Sequence, residues 1–152
     1  MSSVFFILPG KPVGQGRPRM RTVKTKDGRS FASAYDPAKS RNYKSLVQDI
    51  AARALEDVGG QILSGPCSVH IHAKAAWPRS QWRKRTPRPL SWWTGKPDID
   101  NIAKAILDAM SGVVYLDDTQ VCRLSVEKTR PPQGEPDCVR VSVFEVGDGD
   151  LS

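Results

Sequence analysis

The spacing of apolar residues switches along this chain between the two-residue period of a strand and the longer period of a helix, which excludes an all-helical and an all-strand fold. Ser3 to Leu8 is a short apolar, β-prone run and reads as a strand. Residues 11–29 and their neighbours from Pro9 are rich in Gly, Pro and basic side chains and read as a loop or arm. Asp36-Pro37 then opens a helix, with Asp as N-cap and Pro at the first helical position. Tyr43, Leu46, Val47, Ile50, Ala51, Ala54 and Val58 recur at helical spacing, and Gly59-Gly60 ends the run. Val69, Ile71, Ala73, Ala75 and Trp77 alternate with His70, His72 and Lys74, the mark of a half-buried strand. Ile99 to Met110 reads as a second helix with Ile102, Ala105, Ile106, Ala109 and Met110 on one face and Ser111-Gly112 at its end. Val113 to Leu116 reads as a short strand, Cys122, Leu124 and Val126 as another, and Val139, Val141 and Val143 as the last, beyond a Pro/Gly turn at residues 130–136. The tail, 147–152, is expected to fray. The order predicts a single α/β or α+β domain over 1–152, with two main helices on a small mixed sheet.

Charge is segregated along this chain of 152 residues, whose net charge is +7. The arm 11–29 carries seven cations and one acid, and the segment 78–97 carries six cations and no acid. The remainder holds ten cations and fifteen acids, so an acidic body presents two strongly basic segments. Two solvated loops would account for either run alone. Two such runs, the second interleaved with Trp82, Trp92 and Trp93, point toward nucleic acid, where Lys and Arg neutralise phosphates. The indoles either stack on unpaired bases, brace the loop, or pack on the body or a second subunit. The three scattered cysteines show no metal-knuckle spacing, and the Val4–Leu8 run is too short for a signal peptide or membrane span. A cytoplasmic protein with no membrane partner is expected.

Acidic residues crowd around the second helix. Lys96-Pro97-Asp98-Ile99-Asp100-Asn101 leads into it, Lys104 and Asp108 follow at four-residue steps, and Asp117-Asp118 comes later. Asp98 and Asp100 lie on one side if both are extended, or Asp100 starts the helix and sets a carboxylate at its positive end. If the segment before Asp117 runs back along the helix, three carboxylates meet. Each like-charge pair at ~5 Å and an effective dielectric of ~20 costs about 3 kcal/mol, so such a cluster takes up a proton or a cation. Oxygen-only ligands select a hard ion, Mg²⁺ or Mn²⁺, which is equipment for phosphodiester hydrolysis. The plainer alternative is an N-cap, a charge ladder on the helix and a tight turn. His70-x-His72 is a weaker metal candidate, lacking a third ligand nearby.

The run Lys96-Pro97-Asp98-Ile99-Asp100-Asn101-Ile102-x-Lys104, then Leu107-Asp108-Ala109-Met110-x-Gly112-Val113 and Asp117-Asp118-x-Gln120-Val121, resembles the RusA family of Holliday junction resolvases, largely of phage and prophage origin. Pro9-Gly10-Lys11-Pro12, Gly16-Arg17-Pro18-Arg19 and Tyr35-x-Pro37 fit its phage members, so the resemblance spans roughly Phe5 to Phe144. It implies a homodimeric, Mg²⁺-dependent endodeoxyribonuclease, with Mn²⁺ as a substitute, that binds four-way junctions and nicks two opposing strands through a metal-activated water. Position by position, Asp98, Asp100 and Asp118 match the metal-holding aspartates and Lys104 the essential lysine, with Asp117 and Asn101 in support. Lys11, Arg17, Arg19, Arg21, Arg83, Lys84, Arg85 and Lys96 are the expected DNA contacts. No small-molecule cofactor is implied. The Trp- and Arg-rich loop departs from the family pattern. Two other readings stand beside this one: a broader branched-DNA nuclease, and a non-catalytic basic DNA-binding module with a structural acidic cluster.

Overall fold

A computed structural model describes residues 2–16, 19–24, 26, 28, 30–35 and 38–151. Five strands form a mixed sheet: β1 (Ser3–Pro9), β4 (Cys67–Lys74), β5 (Ser91–Trp92), β6 (Val121–Arg130) and β7 (Cys138–Glu145), in the order β1-β7-β4-β6-β5. Only β4 and β6 are parallel. Parallel neighbours need a long crossover, and the basic loop with α2 (Ile99–Met110) supplies it. The first helix, α1 (Ala38–Asp57), packs on β1 and α2. The fold is α+β.

Alternation along the strands decides which face the helices cover. Val4, Phe6 and Leu8 on β1, Val69, Ile71 and Ala73 on β4, and Val139, Val141 and Val143 on β7 are buried on one face. The register places Phe5, Ser142, His70 and Ser125 in a row on the other, uncovered face. His72 lies on that face too, 2.8 Å through Nε2 from Thr129 Oγ1, and burial lowers its pKa. Into the covered face α2 inserts Ile102, Ile106, Ala109 and Met110, none of them exposed at all. α1 contributes Tyr43, Val47, Ala51 and Leu55. Leu55 was absent from the predicted stripe, whereas Leu46 and Val58 from that stripe are exposed. The helix stops as expected, with Gly60 N–H donating to Leu55 O and both glycines at positive φ. Its predicted cap, Asp36-Pro37, lies outside the described residues.

The structure corrects four expectations. The arm is not wholly a loop: β2 (Arg19–Lys24) pairs antiparallel with β3 (Ser30–Tyr35) as a separate two-stranded hairpin. The basic loop likewise contains the two-residue edge strand β5. Val113 to Leu116 is a turn rather than a strand. Val113 and Val114 N–H both return to Met110 O, and Gly112, at φ +81°, donates to Tyr115 O. Val114 and Tyr115 are buried because the turn folds under the helix end, while Leu116 points to solvent. The tail holds a one-turn 3-10 helix, η3 (Asp148–Asp150), where fraying was expected. Among the described residues no helix is long and apolar enough to cross a membrane.

One hydroxyl in the core stands apart from the rest. Tyr43 is buried and its hydroxyl has no hydrogen-bond partner among the described residues, and burial pushes its pKa up to about 12. A phenol whose folded pKa is raised contributes stability that is complete below its ordinary value of 10.0 and lost as the pH climbs toward about 12. Tyr43→Phe removes an unsatisfied donor. Urea unfolding is expected to show unchanged stability at neutral pH, or a gain of up to about 1 kcal/mol, and a shallower decline in the alkaline range.

Candidate functional site

Asp98 caps α2 in extended conformation, at φ −67° and ψ 155°, and its carbonyl accepts the first helical bond from Ile102 N–H at 3.0 Å. The Lys96–Pro97 peptide preceding it is cis. The Asp98 carboxylate accepts no capping bond, and it is exposed. Asp100 stands in the first helical turn, so of the two sequence readings the helical one holds. It too is exposed, and Lys104 follows one turn on, also in solvent. A helix N-terminus carries partial positive charge, which favours both carboxylates there.

A strap formed by Lys11–Gly16 runs beside this helix end. Gln15 N–H donates to Asn101 O at 3.0 Å, which leaves Asn101 half-buried under the strap. Between strap and helix opens a cavity of about 460 Å³ whose lining includes Lys11, Lys39, Lys96, Asp98 and Asn101. Lys39, from the start of α1, was not singled out by sequence, since nothing in its local pattern says that α1 begins beside α2. Lys128 was missed for a similar reason. It reaches from β6 to lie 4.4 Å above the Trp93 ring and donates to Gly95 O. Burial lowers its pKa, and the nearby Asp98 charge opposes that shift.

Asp117 and Asp118 lie at the other end of α2. The Asp117 pKa is held below the ordinary carboxylate range first by the Thr119 hydroxyl, which donates to Oδ2 at 2.7 Å, with a smaller contribution from the Ser111 side chain at the helix C-cap. Gln120 locks the turn. Its Oε1 accepts from Leu116 and Asp117 N–H, and its Nε2 donates to Leu63 and Gly65 carbonyls at 3.0 Å. Tyr115 hydroxyl donates to Leu107 O, and its pKa is raised by burial and then by the Asp118 charge. Asp118 is therefore a neighbour of the last turn of α2, and Asp98 of the first. At 1.5 Å per residue, Asp100 and Ser111 are separated by about 16 Å along the axis. The Asp98–Asp100 pair therefore stands at the first turn of α2, and the Asp117–Asp118 turn adjoins its C-cap. Among the described residues no three His, Cys, Asp or Glu side chains form a metal-holding group.

The basic loop is braced rather than loose. Gln133, from the β6–β7 turn, accepts from Arg83 and Arg88 N–H through Oε1 and donates to Arg83 O through Nε2. Arg88 and Arg130 lie 5.0 and 5.1 Å from the Trp77 ring centre, and Arg79 lies 5.3 Å from that of Trp82. Trp82 Nε1 donates to Trp77 O, and Trp93 is buried, so these indoles hold the loop together. Trp92 is 75% exposed, the most exposed of the three, while Trp82 keeps 42% of its surface in solvent. Arg83, Lys84 and Arg85 project from the loop, and Lys96 and Lys11 are exposed beside the cavity. Arg19 and Arg21 fall on β2, while Arg17 lies outside the described residues.

Known proteins share this arrangement of sequence. A family profile described as endodeoxyribonuclease RusA matches residues 9–143, a span that includes the strap, both ends of α2 and the basic loop. The chain is also similar to an uncharacterized protein of Bacillus subtilis (strain 168), YqaN, with 32% identity over 133 residues, covering 84% of this chain and 88% of that protein.

The strap's approach depends on Gly14. A Cβ there would stand 2.7 Å from Pro97 Cβ and 3.2 Å from Asn101 Cβ, closer than real contacts allow. Gly14→Ala must lift the strap from the helix end. An expected loss of about 1–3 kcal/mol, read by urea denaturation, follows from forced overpacking. Faster amide exchange at Gln15 would report the broken bond to Asn101.

Proposed function

This chain belongs to the RusA endodeoxyribonuclease family, and on that premise we propose that it is a divalent-metal-dependent Holliday junction endonuclease acting as a homodimer. The observation that carries the reading is the exposed Asp98–Asp100 pair at the positive end of α2, beside a cavity that also presents Lys11, Lys39 and Lys96. An Asp98 carboxylate that makes no capping bond, with Lys11, Lys39 and Lys96 beside it, fits a site for a phosphodiester with a bound ion. A structural cap would instead spend its oxygens on backbone N–H groups. The donor set is oxygen only, which fits Mg²⁺ or Mn²⁺. When bound, such an ion supplies an acidified water and offsets charge on the phosphate.

The third carboxylate needs a second chain. Asp98 and Asp100 stand at the start of α2 and the Asp117–Asp118 turn adjoins its C-cap, two ends about 16 Å apart along the axis, which is too far to share an ion. In a two-fold dimer each surface element meets its counterpart reciprocally, so the first turn of α2 in one chain can meet the Asp118 turn of the other. Two complete sites result, as paired cutting of a four-way junction requires. Lys104, one turn beyond Asp100, stabilises charge developing on the phosphoryl oxygens. Arg83, Lys84 and Arg85 neutralise phosphates of the junction arms, aided by the Arg19 and Arg21 hairpin.

Subunit complementation tests the reading. Asp98→Asn and Asp118→Asn should each abolish cutting of a four-way junction in Mg²⁺ while keeping junction affinity within a few-fold. Co-expressed, the two variants should recover about a quarter of wild-type sites, since half the dimers carry one intact site out of two. The recovered product should be single nicks. No recovery would place all three carboxylates in one chain, and cutting that survives both substitutions would remove the enzyme reading. Lys104→Ala is expected to lose turnover with binding intact. Junction affinity should fall ~10³–10⁵-fold between 50 and 200 mM salt if ~6–10 phosphates are neutralised, measurable by fluorescence anisotropy.

A further inference from the structure

A second cavity, about 400 Å³, adjoins the first, and the two share Lys11 and Lys96. Trp77 and Trp93 wall it, and Arg130 and Asp137 line it. The walls are fixed by the guanidinium and ammonium groups stacked on their rings. Both polar groups are fixed as well. Arg130 donates through Nη1 to Ala76 O at 3.0 Å, and Asp137 accepts from Ala76 N–H through Oδ1 at 2.6 Å. Asp137 Oδ2 accepts nothing from any described residue. Trp77, Arg130 and Asp137 do not line the cavity beside the α2 aspartates.

The lining restricts what fits. A bare phosphate would meet the Asp137 carboxylate and fill little of the volume. An apolar ligand would strip water from Asp137 and Arg130 without replacing its hydrogen bonds. A flat heterocycle with an N–H edge, attached to a phosphate near Lys11 and Lys96, satisfies the indole walls, the free oxygen and the cations together. Lys96 and Asp98 are two residues apart, at most about 7 Å, so a ligand here sits within one or two nucleotide steps of the Asp98 carboxylate.

We propose that this cavity receives one unstacked nucleobase of the cut strand and that Asp137 reads an amino group on its edge, an inference that rests on the nuclease reading. Adenine, cytosine and guanine each offer an exocyclic amine to a carboxylate, whereas thymine sets carbonyls on both sides of its single ring N–H. The pocket therefore selects against thymine at one position beside the nick.

The test uses the full protein and a set of four-way junctions. At each of the two positions on either side of the nick, the base is replaced in turn by thymine and by an abasic sugar. Wild-type protein should lose about tenfold in kcat/KM with either replacement at one of those positions and little elsewhere. Asp137→Asn keeps an oxygen for Ala76 N–H and puts an amide donor where Oδ2 was, so its preference at that position should turn toward thymine. Its unchanged melting temperature would show that the fold is kept. Equal cutting of every junction by wild type, or an Asp137→Asn variant with wild-type preference, overturns the base pocket and leaves the nuclease reading standing. Inhibition by millimolar deoxynucleoside monophosphates with no positional dependence also overturns it, in favour of a free-nucleotide site. Failure to cut any junction removes the nuclease reading itself, and the pocket proposal with it.

Discussion

Burial of one face of α2 is the constraint on which the polar surface of this protein depends. Ile102, Ile106, Ala109 and Met110 have no exposed area, and burying side chains of the larger kind is worth about 1.5–3 kcal/mol each. The helix cannot roll to bring a different face outward without losing much of that. Each end is pinned as well, the first by Gln15 N–H on Asn101 O, the last by Tyr115 hydroxyl on Leu107 O and two amides on Met110 O. Asp98, Asp100 and Lys104 are thus presented to solvent by the core. Their positions owe nothing to the length or stiffness of their own side chains.

What the sequence made legible follows from how local the physics is. The α2 helix and its buried face could be read because period, N-cap aspartate and terminal Gly112 all lie within a short window. The β2–β3 hairpin and the edge strand β5 could not, since their pairing partners, not their own apolar pattern, make them strands. Val113–Tyr115 misled because a short buried apolar run has no period of its own. The left-handed Gly112 turns it under the helix end instead of along the sheet. The candidate site divides the same way. Aspartates of the right kind were visible as a motif, but the distance between Asp100 and Asp118 depends on the direction in which β6 leaves the turn relative to α2. Spacing in sequence does not contain that direction. Gln133 and Asp137 were invisible for a stronger reason: Gln133 acts on Arg83, 50 residues away, and Asp137 on Ala76, 61 residues away.

The segregation of charge and the bracing of the loop belong to one design. Thirteen cations in two segments would repel one another and disperse if those segments were free. Gln133 and the stacked indoles hold the second segment in a single shape, so the entropy of ordering it is lost on folding and not on binding. Arginines over Trp77 and Trp82 serve that bracing, which leaves Arg83, Lys84, Arg85 and Lys96 as the segment's cations presented to a polyanion. The tryptophans thus divide between scaffold and surface, with Trp93 buried and Trp92 the most exposed of the loop's three.

A rigid strut with acids at both ends also bears on how cutting would be controlled. On the proposed reading an isolated chain has half of a metal site at each end of α2 and a whole one nowhere. Pairing two chains completes both sites in the same event, because two-fold symmetry cannot create one without the other. A four-way junction resolved by a single nick is left broken and joined at once, so a nuclease that acquires its two sites together is protected from half of the reaction. The cost is that every residue setting the length and angle of α2, down to the buried Ile106, becomes a determinant of geometry at two active sites.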